Sequence, residues 1–165
     1  MIRVGVITAS DKGSRGERED LSAPVITELV SRIGGMVEFY AVVPDDRSLL
    51  EQKLVEFVDE RGLDLVFTTG GTGFAPRDIT PEATLAIADK LVPGLGEAMR
   101  AASLQVTPKA MLSRAMAVIR KQSLIINLPG SPKAVRECLE VILPSLPHGI
   151  DILKQRAGEC AEEQP

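Results

Sequence analysis

The chain is short of the residues that support covalent or redox chemistry. It has a single histidine, His148, and two cysteines, Cys138 and Cys160, among 165 residues. One histidine cannot build a metal cluster, and nothing here suggests a nucleophile activated by a histidine base. Two cysteines are too few for a disulfide framework and are not spaced as zinc ligands. Cys138 shares helical spacing with Val135, Leu139 and Ile142, which predicts a small buried hydrophobe. Cys160 falls in the polar stretch 157–165, a tail expected to be frayed. No apolar run approaches the roughly 18 residues of a membrane span. The opening Met1-Ile2-Arg3-Val4-Gly5-Val6-Ile7 reads as a first strand rather than a signal peptide, so a cytoplasmic protein is expected. A basic excess is also missing. The net charge is −4, which argues against a nucleic-acid partner.

What is present is an ordinary globular composition, 44% hydrophobic and 25% charged, enough for one domain over 1–156. Short apolar runs, rich in β-branched residues, occur at Val4 to Thr8, Val37 to Val43, Leu63 to Thr69 and Leu124 to Asn127. Runs of this kind suit a parallel sheet buried on both faces. Amphipathic stripes lie between them: Val25, Ile26, Leu29, Val30 and Ile33 before Gly34-Gly35, then Leu50, Leu54, Phe57 and Val58 before Gly62. Thr80-Pro81 and Ser131-Pro132 each read as an N-cap followed by proline at the first helical position. The alternation predicts an α/β fold, a single-domain doubly wound and mostly parallel sheet flanked by helices. Only Arg120 to Ser123 separates Ala115–Ile119 from Leu124–Leu128, so one antiparallel strand is expected as well.

In such sheets ligands bind beyond the carboxyl ends of the strands. The predicted strands lead into Ser10-Asp11-Lys12-Gly13, Pro44-Asp45-Asp46, Thr69-Gly70-Gly71-Thr72-Gly73 and Asn127-Leu128-Pro129-Gly130-Ser131. Together these loops would form an anion-accepting crevice. The glycines of Thr69 to Gly73 allow positive φ and close approach of backbone N–H groups to a phosphate, although a plain tight turn would use the same residues. No Gly-Lys-Ser/Thr ending follows, and the third glycine of the dinucleotide fingerprint is missing. Asp45 and Asp78 are candidate Mg²⁺ carboxylates, since that ion takes one or two carboxylates plus substrate phosphates; both are also common turn and cap residues. Lys12, Arg15, Arg77, Arg114 and Lys133 flank the loops and could steer an anionic substrate or simply be solvated.

Several longer motifs resemble the molybdopterin adenylyltransferase family. They are Ser10-Asp11-Lys12 with Asp20, Val43-Pro44-Asp45, and Thr68-Thr69-Gly70-Gly71-Thr72-Gly73 continuing through Arg77-Asp78-Ile79-Thr80-Pro81-Glu82-Ala83-Thr84. Pro93 to Arg100, Met111-Leu112-Ser113-Arg114 and Ile126 to Lys133 extend the likeness to about Leu153. The resemblance implies a homotrimer that binds molybdopterin and ATP in one crevice. It also implies attack of the pterin's terminal phosphate on the α-phosphorus of ATP, and hand-over of the product to a molybdate-inserting enzyme. By the match, Asp45 and Asp78 occupy the positions of the family's two functional acidic residues and are assigned to Mg²⁺ and nucleotide phosphate. The Thr69 to Gly73 loop would hold phosphates. Asn127, Pro129, Gly130 and Ser131 would shape the opposite wall, and Ser10, Asp11, Ser113 and Arg114 complete the expected pocket. A non-catalytic carrier or scaffold for the pterin, and a nucleotide-binding oxidoreductase, are the alternative readings.

Overall fold

A computed structural model describes residues 1–156; the polar tail and Cys160 lie outside the described residues. The chain begins with β1 (Ile2–Ala9), a short α1 (Asp11–Ser14), α2 (Ser22–Ser31), β2 (Gly35–Val43) and α3 (Arg47–Val55). A π-helical turn over Glu56–Glu60 leads to β3 (Leu65–Thr69), α4 (Thr80–Ala86), β4 (Lys90–Leu91) and α5 (Pro93–Leu104). After a 3-10 turn at Pro108–Leu112 come β5 (Ala117–Arg120), β6 (Ser123–Leu128), α6 (Pro132–Ile142) and, past a second 3-10 turn, α7 (Leu146–Leu153).

The six strands lie in the order β2-β1-β3-β6-β5-β4. β2, β1, β3 and β6 are parallel, and β5 runs against both β6 and β4, so the expected mixed sheet is present. The hairpin is tighter than its sequence spacing predicts. Both strands extend until only Lys121-Gln122 remain between them, with Lys121 at φ +51 as a two-residue turn demands. β4, two residues long, and the π-helical turn have no sequence signal of their own.

Alternating side chains cover the two faces. Val4, Val6, Leu65, Phe67 and Ile126 pack under Ile26, Leu29 and Val30 of α2 and Val135 and Leu139 of α6. Ile7, Val66 and Ile125 pack on the other face under Leu50, Leu54, Phe57 and Val58. Each such aliphatic side chain taken from water contributes about 1.5–3 kcal/mol, and the two layers clamp the sheet between them. Cys138 is buried on α6 with its Sγ 3.5 Å from Ser103 Oγ, and burial pushes its thiol above the usual range. This is the small hydrophobe that the spacing predicted.

Two helix starts behave differently from one another. Ser131 caps α6, its Oγ accepting from the Ala134 N–H at 3.2 Å, and Pro132 follows at the first helical position. Thr80, in contrast, is not a cap: Ile79 holds that position and Thr80 is the first helical residue. The Thr80 N–H is already committed to the Gly71 carbonyl at 3.1 Å, and that tie sets the start of α4 one residue early.

Candidate functional site

A crevice of about 440 Å³ opens where β1, β2, β3 and β6 end. That size falls within the ordinary range for small-molecule sites. Among the residues expected to form the pocket, Ser10, Asp45, Thr69, Gly70, Gly71, Asp78, Gly130 and Ser131 line it.

Its floor is the turn after β3. Gly70 has φ +88, and a Cβ there would sit 2.5 Å from the Ala9 carbonyl oxygen; Gly71 has φ +66. Only glycine passes through both conformations without strain, and the backbone therefore comes flush with the crevice. Thr69 Oγ1 donates to the Pro129 carbonyl at 2.8 Å, and the Gly70 N–H reaches Leu128 O at 3.3 Å. These bonds join the β3 and β6 loops into one rim.

Acidic side chains stand around this floor. Asp45 and Asp11 are linked reciprocally: the Asp11 N–H donates to Asp45 Oδ2 and the Asp45 N–H donates to Asp11 Oδ1. Arg77 reaches back to Asp11 with two hydrogen bonds, at 2.5 and 2.9 Å. The guanidinium holds the Asp11 carboxyl down to about 2. Asp45 is pushed the other way, above its usual value, chiefly by burial and further by the nearby Asp11 and Asp78 charges. Asp78 accepts from the Ala75 N–H at 2.9 Å, and its Oδ2 lies 2.9 Å from where a Gly73 Cβ would stand. Asp45 Oδ1 has no hydrogen-bond partner among the described residues. Asp45 and Asp78 line the same crevice, and two carboxylates there, one with an oxygen left open, fit a hard cation that completes its shell with phosphates and water. Among the described residues no group of three or more ligating side chains occurs, so an all-protein cage is not what they offer.

The other expected residues take supporting places. Asn127 is fully buried, its amide donating to Thr68 and Thr84 Oγ1 at 2.9 Å each and accepting from the Met116 N–H. It ties β6 to β3, α4 and the residue ahead of β5 beneath the floor. Thr72 is buried, and its carbonyl accepts from the Arg114 N–H. Arg114 grips the loop after β3 from behind: Nε donates to Gly73 O and Nη2 to Asp78 O, both at 2.8 Å, while Nη1 pairs with Glu82. Ser113 and Pro129 line a neighbouring pocket of about 200 Å³ instead, with Met99, Arg100 and Cys138. Ser10 caps α1 by accepting from the Gly13 N–H at 2.9 Å. Arg114 is thus part of the scaffold; Arg77 is tied to Asp11 but stays largely exposed, and Arg15 and Lys133 pair locally with Glu17 and Glu137.

Asp20 belongs to one of the sequence motifs but not to the residues expected in the pocket. Asp20 lines the crevice and accepts from Thr8 Oγ1, from the Tyr40 hydroxyl at 2.7 Å, and from the N–H groups of Ser22 and Ala23. Burial raises its pKa, but these donors outweigh burial and hold it below the usual value. Burial and the Asp20 charge push Tyr40 up to about 12. The signal was an aspartate two residues ahead of a helix, and such a position reads equally well as an ordinary cap.

The likeness to known proteins extends over the whole site. Residues 5–148 match a family model described as "Probable molybdopterin binding domain". The molybdopterin adenylyltransferase of Helicobacter pylori is 50% identical over 154 residues, 92% of this chain and 88% of that protein. The enzyme of the same name from Escherichia coli is 44% identical over 176 residues, 98% of this chain and 90% of that one. The crystal structure of the molybdopterin biosynthesis enzyme MoaB from Thermus thermophilus superposes with a TM-score of 0.89 at 49% identity, covering 94% of this chain and 98% of that one. With its motifs assembled around one crevice, the chain belongs to the molybdopterin adenylyltransferase family.

Proposed function

We propose that the chain catalyses the ATP-dependent adenylation of molybdopterin, a step of molybdenum cofactor biosynthesis. The observation that carries this reading is the pair Asp45 and Asp78 set beside the glycine floor Gly70-Gly71 in a chain aligned nearly end to end with molybdopterin adenylyltransferases. A terminal phosphate oxygen of molybdopterin attacks the α-phosphorus of ATP. The bond from that phosphorus to the bridging oxygen breaks, and pyrophosphate leaves with the electron pair.

This displacement asks the protein for alignment and charge neutralisation rather than for a covalent intermediate, in keeping with a crevice built of carboxylates, hydroxyls and backbone. The Gly71 N–H and the start of α6 at Ser131 would hold phosphate oxygens. Asp45 and Asp78 would hold Mg²⁺ against the nucleotide. When bound, that ion supplies positive charge to the phosphates and to the departing pyrophosphate. Asp11 and Arg77 keep Asp45 oriented, and Arg114 keeps Asp78 in place.

The same reading includes a homotrimer, a cytoplasmic location and hand-over of the adenylated pterin to a molybdate-inserting enzyme. Purified protein is mixed with molybdopterin and Mg-ATP, and adenylated molybdopterin and pyrophosphate are measured by chromatography. Metal-dependent product beyond one equivalent supports the enzyme. Tight pterin binding without product would replace it with a carrier. Light scattering on the same sample reports the trimer.

A further inference from the structure

Tyr40 is set apart from the other aromatic side chains. The chain has one tyrosine, four phenylalanines and no tryptophan. Phe57 and Phe67 are buried in the core, Phe39 packs on Phe57 with ring centroids 6.0 Å apart, and Phe74 stands outside the crevice. Tyr40 alone among them lines the crevice, and it is 49% exposed. It shares its face of β2 with Val42, and the exposed Leu21 just before α2 joins both in the crevice wall. Tyr40 precedes Val43, the end of β2, by three residues, about 10 Å along the strand, whereas Asp45 lies just past that end. An apolar, aromatic wall therefore stands back from the floor of carboxylates and glycine backbone.

The polar groups at this wall are already committed. The Tyr40 hydroxyl donates to Asp20 Oδ2 at 2.7 Å, and Asp20 also accepts from Thr8 Oγ1 and from the Ser22 and Ala23 N–H groups. These donors fill the roughly four lone-pair sites of a carboxylate, so Asp20 has none left for a ligand. What the wall offers is the Tyr40 ring, pinned at its tip so that little freedom is lost when something packs on it. Pinned aromatic surface beside a phosphate-holding floor matches a ligand that joins a flat nitrogen heterocycle to a phosphate.

We propose that Tyr40 is the substrate-contacting residue on which the flat nitrogen heterocycle of one reactant packs while its phosphate lies at the Gly71 floor. The adenine of ATP and the pterin share this chemistry. The inference deepens the adenylation reading and rests on it for its substrates. Packing of this kind is the same in the ground and transition states, so it acts on affinity rather than on the chemical step.

The experiment compares Tyr40→Leu and Tyr40→Phe in the full-length protein. Tyr40→Leu is expected to raise KM about 10-fold for one reactant with kcat retained. The reactant whose KM moves, ATP or molybdopterin, identifies the heterocycle that packs there. Tyr40→Phe, which keeps the ring, is expected to recover most of that affinity. Because Tyr40 is the single tyrosine, its ring protons give one set of NMR signals in the wild-type protein. Those signals are expected to shift upfield with AMP or with molybdopterin, and not with ribose 5-phosphate, which carries the phosphate without a heterocycle. Unchanged KM for both reactants in Tyr40→Leu, or an equal loss in Tyr40→Phe, would overturn the proposal. So would ring signals that ignore both ligands or follow ribose 5-phosphate equally. The titration needs no variant, so it decides the matter even if Tyr40→Leu misfolds. If wild type forms no product, the adenylation reading fails, and the titration still decides whether Tyr40 meets a heterocycle.

Discussion

Asp11 and Asp45 hold each other by two backbone-to-carboxylate hydrogen bonds, both 3.0 Å long, so the loops after β1 and β2 present their acidic side chains as one unit. Arg77, from the loop after β3, closes on Asp11 and brings a third strand end into that unit. Asp11→Ala removes both the acceptor for the Asp45 N–H and the partner of Arg77. The adenylation kcat/KM should fall about 10-fold while the melting temperature barely moves, since exposed ion pairs contribute little to stability. Arg77→Ala should act in the same direction, and the double variant should lose less than the two single losses combined, as steady-state kinetics would show.

Asp45 should trade stability for function. Its folded pKa lies above the ordinary value, so the folded protein keeps a proton that the unfolded chain has already released. The stability contributed by that proton is full below about pH 4 and is lost as pH rises through the raised folded value. Near neutral pH, Asp45→Asn should therefore melt at or above wild type, and the difference should shrink toward about pH 4. Adenylation should drop by about 100-fold or more, because the charge is what the nucleotide site uses. Thermal melts across pH check the first statement and product formation the second.

Asp20 should behave in the opposite sense. Its folded pKa is lowered, so its contribution is present above the unfolded value and fades as pH falls through the folded one. Asp20→Asn leaves one accepting oxygen for four donors. Urea unfolding should show a loss of about 1–3 kcal/mol, and the start of α2 should lose amide protection in hydrogen exchange.

Gly70 separates backbone constraint from side-chain chemistry. Gly70→Ala combines φ +88 with a contact on the Ala9 carbonyl, which should cost about 2 kcal/mol or more and abolish most adenylation. Gly149, inside α7, has open space around its missing Cβ, so Gly149→Ala should leave activity intact and raise the melting temperature slightly. Calorimetry on both variants measures the contrast.

The legible part of the molecule was the part governed by periodicity and by glycine. The runs at Val4 to Thr8 and Leu124 to Asn127 are apolar on both faces, which only a covered parallel strand needs, and Thr69 to Gly73 announced a close-approach loop. Asn127 was less legible. Its position beside Pro129-Gly130 suggests a pocket wall, but whether an asparagine faces a ligand or links β3, α4 and the residue ahead of β5 depends on neighbours far away in sequence. Thr80 was misread for a related reason: the hydrogen bond from its N–H to Gly71 is a tertiary contact, and Thr-Pro before a helix carries no trace of it. Asp20 was hidden because capping a helix and lining a crevice are done here by the same carboxylate.

The reversal of β5 sorts the molecule into two poles. Because β5 starts where β6 ends, the segment carrying Ser113 and Arg114 arrives at the same sheet edge as Asp45, Gly70 and Asp78. The opposite edge holds the connections at Gly34, Gly62 and Lys121, each a positive-φ turn directly before or near the start of a strand. Exposed side chains beside those turns, such as Arg32, Arg61 and Gln122, are the natural handles of the protein. A tether, dye or surface linker attached there would hold the molecule by its inert pole and leave the crevice facing open solution.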